Sequence, residues 1–323
     1  MLFISENDVI ENLSIAKTVE VVDQAYKDIA EGNLVNLPRS GFVLNENEDS
    51  YLMVGAWSKK AKYYGFKYAG SFPSNVPKKI PTVQSCIILC DAETGENVAL
   101  IEANTLTALK TAASSAVATR YMALNKIHKM AIIGAGLQSY YQLIGALCVR
   151  DIEEIHIFDL SSENAEKLAS KMEDYKAVCG KDYKVVVSES TKKACQNAQI
   201  ITTITTSPKP VIQKEHVSPG VHLNAMGSFT PSMQEIDSEI VVAADRIAVD
   251  KFSDAWENAG DIITPFKEGK IEKGKVGYEL PTIVSGEYHG RMNLEDFTIF
   301  ESVGSGALDV AVAVEAYLAK KNK

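Results

Sequence analysis

The sequence predicts an α/β chain: a doubly wound parallel sheet with helices on both faces, beside a smaller α+β region. Three observations carry this. From residue 129 onward short apolar strands alternate with helices, the texture of a parallel sheet. Between Pro38 and about Leu100 the runs are strand-like and broken by Gly, Pro and Asn, without intervening helices. The chain has 323 residues, and at roughly 150 residues per domain that suggests two domains.

Composition narrows the function. Hydrophobic residues at 46% and charged residues at 23% describe an ordinary globular protein. The 33 Lys+Arg against 42 Asp+Glu leave a formal charge of −9, which argues against a nucleic-acid partner and its need for a basic stripe. No apolar run approaches the roughly 20 residues that span a bilayer, so no membrane partner is expected. The opening Met-Leu-Phe-Ile-Ser-Glu lacks the basic and apolar regions of a signal peptide, and the expectation is a cytoplasmic chain. The 5 cysteines include no Cys-x-x-Cys pair and the 5 histidines no ligand spacing, so no metal site is expected.

The elements follow in order. Val9, Ile10, Leu13, Ile15, Val19, Val22, Ala25, Tyr26 and Ile29 recur at helical spacing over residues 7–31, and Gly32 stands where a helix-ending glycine belongs. Strands are expected at Tyr51–Val54, Gly65–Tyr68, Thr82–Leu89 and Val98–Ile101. A helix at about 105–124 is rich in Ala and Thr, which suits close packing against another backbone. Strands at Lys129–Ile133, Glu154–Phe158, Tyr183–Val187 and Ile200–Thr203 then alternate with helices at 137–149, 162–174 and near 191–196. Further strands are expected at His222–Ala225 and Ile247–Val249, and an amphipathic helix closes the chain over Gly306–Ala319. The domain boundaries read as 1–124, joined by 305–323, and 125–304.

One loop carries specific chemistry. Met130-Ala-Ile-Ile-Gly134-Ala-Gly136-Leu137-Gln138-Ser139 is an apolar strand running through glycines into a helix. Gly134 permits the tight turn, and Gly136 lets the backbone approach a pyrophosphate. The helix N-terminus at Leu137 and Gln138 offers free N–H donors and a positive dipole end. Ser139 replaces the usual third glycine. Asp159 closes the next strand, where an acid binds the adenosine ribose hydroxyls. These features mark a Rossmann-type domain. No Arg follows Asp159, so NAD(H) is favoured over NADP(H), although Ser161 and Ser162 leave room for a 2′-phosphate. Thr203 and Thr205 follow a strand of the second half-sheet, where carboxyl ends line the nucleotide crevice. Thr111 and Ser114 are candidates for phosphate contact near the start of the small-residue helix, with core packing the competing reading. Cys86 and Cys90 read as buried thiols in an apolar run.

With these residues in view, the chain resembles the ornithine cyclodeaminase/μ-crystallin family along nearly its whole length. The resemblance rests on Leu37-Pro-Arg39, Gly65-Phe-Lys67-Tyr, Phe72-Pro-x-Asn75, Ile80-Pro-Thr-Val-Gln84, Asp91-Ala-Glu-Thr-Gly95, Leu106-Thr-Ala-Leu-Lys-Thr111-Ala-Ala, Ile133-Gly-Ala-Gly-Leu-Gln138 and Ser302-Val-Gly304. It implies a Rossmann domain plus an α+β substrate domain that dimerises through a β-sheet or barrel, hence a homodimer. It also implies hydride transfer between nicotinamide and the α-carbon of an amino acid or its imine. Arg39 then matches an arginine that holds the substrate carboxylate, a task suited to a planar guanidinium. Lys67 matches a lysine beside the reacting nitrogen, as cation clamp or proton donor. These two are the catalytic candidates. Gly304 joins the substrate site, and Met226 and Ser302 the cofactor site, because the Ser302–Asp309 stretch lies against the nicotinamide in the family.

Three departures steer the choice of reaction. Lys110 stands where the family has a second carboxylate-binding arginine, keeping the charge without the fork. Tyr51 replaces the acid that serves a cyclodeaminase substrate's distal amine. Phe229 replaces an Asp, unless Glu235 or Asp309 has taken over its work. Oxidative deamination calls for a carboxylate base, whereas reducing a preformed cyclic imine needs an anchor, a hydride donor and one proton. The expectation is therefore an NAD(P)H-dependent reductase of cyclic imino acids, of the Δ1-pyrroline-2-carboxylate type, with Tyr51 and Phe229 lining the substrate. The alternatives are an ornithine cyclodeaminase, an alanine or amino-acid dehydrogenase, and a non-catalytic dinucleotide-binding, crystallin-like protein.

Overall fold

The computed structural model describes residues 1–46 and 49–323. Its elements are β1 (Leu2–Ile4), α1 (Glu6–Asn12), α2 (Ile15–Ala30), β2 (Leu34–Asn36), β3 (Ser40–Val43), β4 (Ser50–Ser58), β5 (Tyr63–Ser71), β6 (Val83–Asp91), β7 (Asn97–Glu102) and α3 (Asn104–Met122). There follow β8 (Ile127–Ile133), α4 (Leu137–Val149), β9 (Ile152–Phe158), α5 (Ser162–Cys179), β10 (Lys184–Val187), α6 (Thr191–Cys195), β11 (Ile200–Thr203) and β12 (His222–Ala225). The chain ends with α7 (Ser238–Ala243), β13 (Arg246–Val249), α8 (Phe252–Asn258), α9 (Gly260–Lys267), β14 (Tyr278–Glu279), α10 (Leu280–Val284), β15 (Thr298–Glu301) and α11 (Gly306–Lys321). Two compact units result: Met1–Lys110 with Ser305–Lys323, and Thr111–Gly304. The division falls inside α3 rather than after residue 124. From Ala112 onward that helix packs against α4, where a Cβ on Gly145 would lie 2.9 Å from the Ala112 carbonyl oxygen. Small residues make that approach feasible. No helix of the described residues is long and apolar enough to cross a membrane.

In the first unit the expected 7–31 helix is two helices. Ser5 and Asp8 form a reciprocal capping box at α1, and the Ser14 hydroxyl accepts from Lys17 N at 3.2 Å to start α2. The apolar period runs through the break, which is why periodicity alone reads one helix. The seven-stranded sheet has the order β1-β7-β6-β5-β4-β2, with β3 also on β4; only the β1–β7 pair is parallel.

Strand alternation gives this sheet two different faces. Val54, Ala56, Lys67, Ile87, Leu89, Ala99 and Ile101 point to one face and are buried; α11 packs on the sheet through β4, β5 and β6. Met53, Trp57, Tyr68 and Phe42 point to the other face and remain exposed.

A backbone-to-backbone approach fixes the start of α11. A Cβ on Gly306 would lie 2.7 Å from Gly55 N and 2.8 Å from Gly55 O, so only glycine admits this contact with β4. Asn36 Oδ1 accepts from Ala307 N at 2.8 Å and from Ser305 Oγ at 3.2 Å, capping the helix from β2. One turn after Gly306, the same helix places Asp309 over β5.

The second unit is an eight-stranded sheet of order β10-β9-β8-β11-β12-β15-β13-β14, with every pair parallel. The chain runs outward from β8 in one direction and from β11 in the other, so the strand order reverses between them. Ligands of such sheets bind at the carboxyl ends beside that reversal. The strands β14 and β15 and helices α7 to α10 lie beyond the elements expected from sequence. Two arginines close the end of α3: Arg150 donates to the carbonyls of Thr119, Arg120, Ala123 and Leu124, and Arg291 to that of Met122.

Replacing Gly306 by Ala is expected to destabilise the protein by about 1–3 kcal/mol, because the added Cβ meets backbone and not a movable side chain. Chemical denaturation of Gly306→Ala against wild type checks this. An unchanged midpoint would show that α11 can shift freely on β4.

Candidate active site

Two clusters of functional residues are found, one in each unit. In the first, Lys67 Nζ donates to Asp309 Oδ1 at 2.9 Å, and Lys110 Nζ lies 3.7 Å from the same oxygen. All three are buried, with 7% of Lys67, 3% of Lys110 and 1% of Asp309 exposed. Lys67 reaches this position because its place in β5 points it to the helix-covered face, between the apolar cross-strand partners Val54 and Ile87. Lys110 comes from the first turns of α3, and Asp309 from the first turn of α11. The half-buried Arg39, just after β2, is near enough for its charge to be felt at Lys67.

Burial is the main force holding the Lys67 ammonium below the ordinary lysine range. The charges of Lys110 and Arg39 act in the same direction, and Asp309 opposes them by charge and hydrogen bond. Two ammonium groups on one carboxylate leave an excess of positive charge in a place poor in water. With Arg39, such a cluster attracts a carboxylate and offers it forked and single N–H donors.

In the second unit, β8 ends at the glycine loop. Gly134 has φ +105°, and a Cβ there would sit 2.6 Å from the Ile204 carbonyl oxygen, at the strand-order reversal. Gly134 is thus required by its neighbours in the fold. Gly136 differs: nothing lies within 4 Å of a Cβ built on it, and it caps α4 without any side-chain hydrogen bond. Leu137 beside it is 72% exposed. The α4 N-terminus therefore presents uncapped N–H donors over open space. Gln138 Oε1 and Ser139 Oγ are buried there without a hydrogen-bond partner. Ser139 is fully buried, so its small side chain fills the packing place of the third glycine.

Asp159 ties this loop to the next strand. Its Oδ2 accepts from Ala135 N at 2.7 Å and its Oδ1 from Ser161 N at 2.8 Å. An ionised carboxylate has about four acceptor positions, so two remain for hydroxyl donors. Ser161 Oγ accepts from Asn164 N as the cap of α5. An uncapped helix end, an open glycine and a carboxylate at the next strand fit a dinucleotide diphosphate and its ribose.

Other residues singled out from sequence fall elsewhere. Thr203 does not present its hydroxyl to the crevice: it is fully buried and donates to Glu235 Oε2 at 2.9 Å. Met226 is likewise buried, its N–H donating to Thr203 O at 3.0 Å. Thr205 is half-buried and borders Gly134, with Cγ2 3.0 Å from the position a Cβ there would take. Ser302 is buried and donates to Asp250, and Gly304 has φ +85°. Thr111 is half-buried on α3, and Phe229 is 44% exposed after β12.

Tyr51 is not brought to Lys67. Tyr51 stands three positions before Val54, the cross-strand partner of Lys67, so it lies on the opposite sheet face. There it stacks on Tyr68 with ring centres 5.8 Å apart. Glu235 is not a free base, because it accepts from Thr203 Oγ1, Thr205 N and Gly227 N and clasps the β11 and β12 loops together. Asp309 is the acid at the cationic cluster. Its signal in the sequence was an Asp one turn into a helix that opens on glycine.

The two loop glycines should separate under substitution. Gly134→Ala is expected to lower the melting temperature. Gly136→Ala is expected to leave it within about 1 °C of wild type, while weakening NADH binding by about tenfold or more through loss of the pyrophosphate approach. Calorimetric melting and fluorescence titration with NADH read the two effects. Equal binding by Gly136→Ala and wild type would remove that glycine from the cofactor site.

Comparison with known proteins gives one answer. The model of the Ornithine cyclodeaminase/mu-crystallin family matches residues 1–322. A Delta(1)-pyrroline-2-carboxylate reductase of Bacillus cereus is 32% identical over 317 residues, which cover 98% of this chain and 96% of the relative. The structure of Thermococcus litoralis Delta(1)-pyrroline-2-carboxylate reductase in complex with NADH and L-proline superposes with a TM-score of 0.94 at 31% identity, covering 100% of this chain and 98% of that one. An archaeal alanine dehydrogenase dimer with bound NAD gives 0.92 at 30% identity, covering 100% and 97%. With the match extending over both units and the glycine loop and lysine cluster in place, the chain belongs to the ornithine cyclodeaminase/mu-crystallin family.

Proposed function

We propose that this protein is an NAD(H)-dependent reductase of cyclic imino acids, with Δ1-pyrroline-2-carboxylate as the model substrate, and that it works as a homodimer. The observation that carries the reaction is the state of its acid. Asp309 Oδ1 lies 2.9 Å from one ammonium and 3.7 Å from a second, so that oxygen is already engaged and is not presented to an amino acid or to a water. Reduction of a preformed imine needs no carboxylate base. The naming of the Bacillus and Thermococcus relatives supports the same reaction.

Arg39 and Lys110 take the substrate carboxylate, and Lys67 presents an N–H to the imine nitrogen. The N–H groups at the start of α4 hold the cofactor diphosphate, and the unused lone pairs of Asp159 accept from the ribose hydroxyls. A 2′-phosphate would face that carboxylate. NADH is therefore the preferred cofactor over NADPH. When bound, NADH supplies the hydride for the imine carbon.

The dimer reading rests on the exposed sheet face. Phe42, Met53, Trp57 and Tyr68 together form an aromatic and apolar surface of the kind that marks an interface. A second copy of the chain is its occupant, consistent with the dimer described for the archaeal alanine dehydrogenase.

With NADH and Δ1-pyrroline-2-carboxylate, rapid loss of absorbance at 340 nm is expected, slower with NADPH. Lys67→Ala should lose about 10²-fold or more in kcat. Release of ammonia and proline from ornithine, with no imine reduction, would overturn the reading in favour of a cyclodeaminase.

Introducing charge at the sheet face tests the dimer. The double variant Met53→Lys, Trp57→Lys is expected to sediment as a monomer at concentrations where wild type sediments as a dimer. A monomeric wild type would refute the assembly.

A further inference from the structure

We infer that Asp309 is a positioning residue whose carboxylate keeps Lys67 charged and aimed, so that Lys67 supplies the proton to the imine nitrogen. The inference rests on the reductase reading and gives it a named proton donor together with the residue that controls it.

The observations are geometric. Asp309 is 1% exposed, lies on the buried side of Lys67 and engages both lysines through one oxygen. Lys67 points to a face where its cross-strand neighbours are Val54 and Ile87, which supply no charge. The groups that act on it are therefore Asp309 from α11, Lys110 from α3 and Arg39 after β2. Without Asp309, burial and two neighbouring positive charges would favour a neutral amine at Lys67. A neutral amine donates no useful proton to an imine.

The step balances. The imine carbon accepts a hydride, the π electrons of the C=N bond move to nitrogen, and nitrogen takes the proton from Lys67 Nζ. The Nζ–H bond breaks as the new N–H bond forms, leaving Lys67 neutral until it takes a proton from water. Asp309 remains a carboxylate throughout.

The test is the alkaline limb of kcat/KM for imine reduction, which reports the free enzyme's essential acid. In Asp309→Asn that limb should move to lower pH by about one unit or more, since the group favouring the ammonium is gone. In Lys110→Met it should move the opposite way, since a like charge is gone. Titration of the Lys67 ammonium by 15N NMR of lysine-labelled protein, assigned with Lys67→Arg, should show the same opposed shifts without turnover.

A fall in kcat/KM by the same factor at every pH, with both limbs and the NMR titration unmoved, would make Asp309 merely structural and overturn the inference. Should Asp309→Asn fail to fold, the upward shift in Lys110→Met still decides, and its absence overturns the proposal. A wild type that reduces no cyclic imine, while the NMR titrations still shift apart, would refute the reductase reading and leave the control of Lys67 by Asp309 standing.

Discussion

Two ammonium groups and one carboxylate share a nearly dry space beneath helix α11, and the first unit is arranged to make that arrangement tolerable. A buried cation left alone is costly, and a buried pair repays its desolvation only when held in good geometry. Here the geometry comes from a strand that points Lys67 inward, a helix start pressed onto β4 by two glycines, and an asparagine that caps that helix from β2. The residual positive charge is what a carboxylate substrate would neutralise. On the proposed reading, binding and proton supply are two uses of one electrostatic imbalance.

The second unit solves a different problem. At the reversal of strand order the backbone of β11 passes so close to the end of β8 that Gly134 is needed for the fold itself. One residue on from Ala135, Gly136 faces open space, and its glycine is free to serve a ligand. Asp159 holds the loop through Ala135 and retains acceptor capacity. Glu235 performs the same clasping task on the far side of the reversal, joining the loops after β11 and β12. Two carboxylates brace the crevice, but only Asp159 is half-exposed and able to meet a hydroxyl.

Much of this was legible in the residues. The strand–glycine–helix of β8 and α4 could be read because it combines apolar run, turn chemistry and period change within a few positions. The parallel sheet followed from the same alternation. Short elements were not legible: β1, β2 and β3 have three or four residues each and exist through pairing with distant strands. The break between α1 and α2 hid beneath an unbroken apolar period, and only Ser14 marked it. The family resemblance brought Arg39, Lys67 and Lys110 forward and left Asp309 as one of two candidate acids, without joining it to the lysines. Asp309 stands 242 residues from Lys67. Nothing local in an acidic first turn distinguishes an ion-pair partner from a favourable dipole contact. Tyr51 illustrates the complementary case, since its position suggested the substrate and strand parity sends it to the face opposite Lys67.

The contact between Gly306 and Gly55 has a practical consequence for redesign. The start of α11, one turn before Asp309, is held against the sheet by the Gly306–Gly55 approach and by the Asn36 cap. Apolar side chains farther along that helix, such as Val312, Val314 and Ala316, can thus be exchanged for others of similar volume without altering the reach from Asp309 to Lys67. Thermal resistance then becomes adjustable through the far half of that helix, apart from the residues around the lysines.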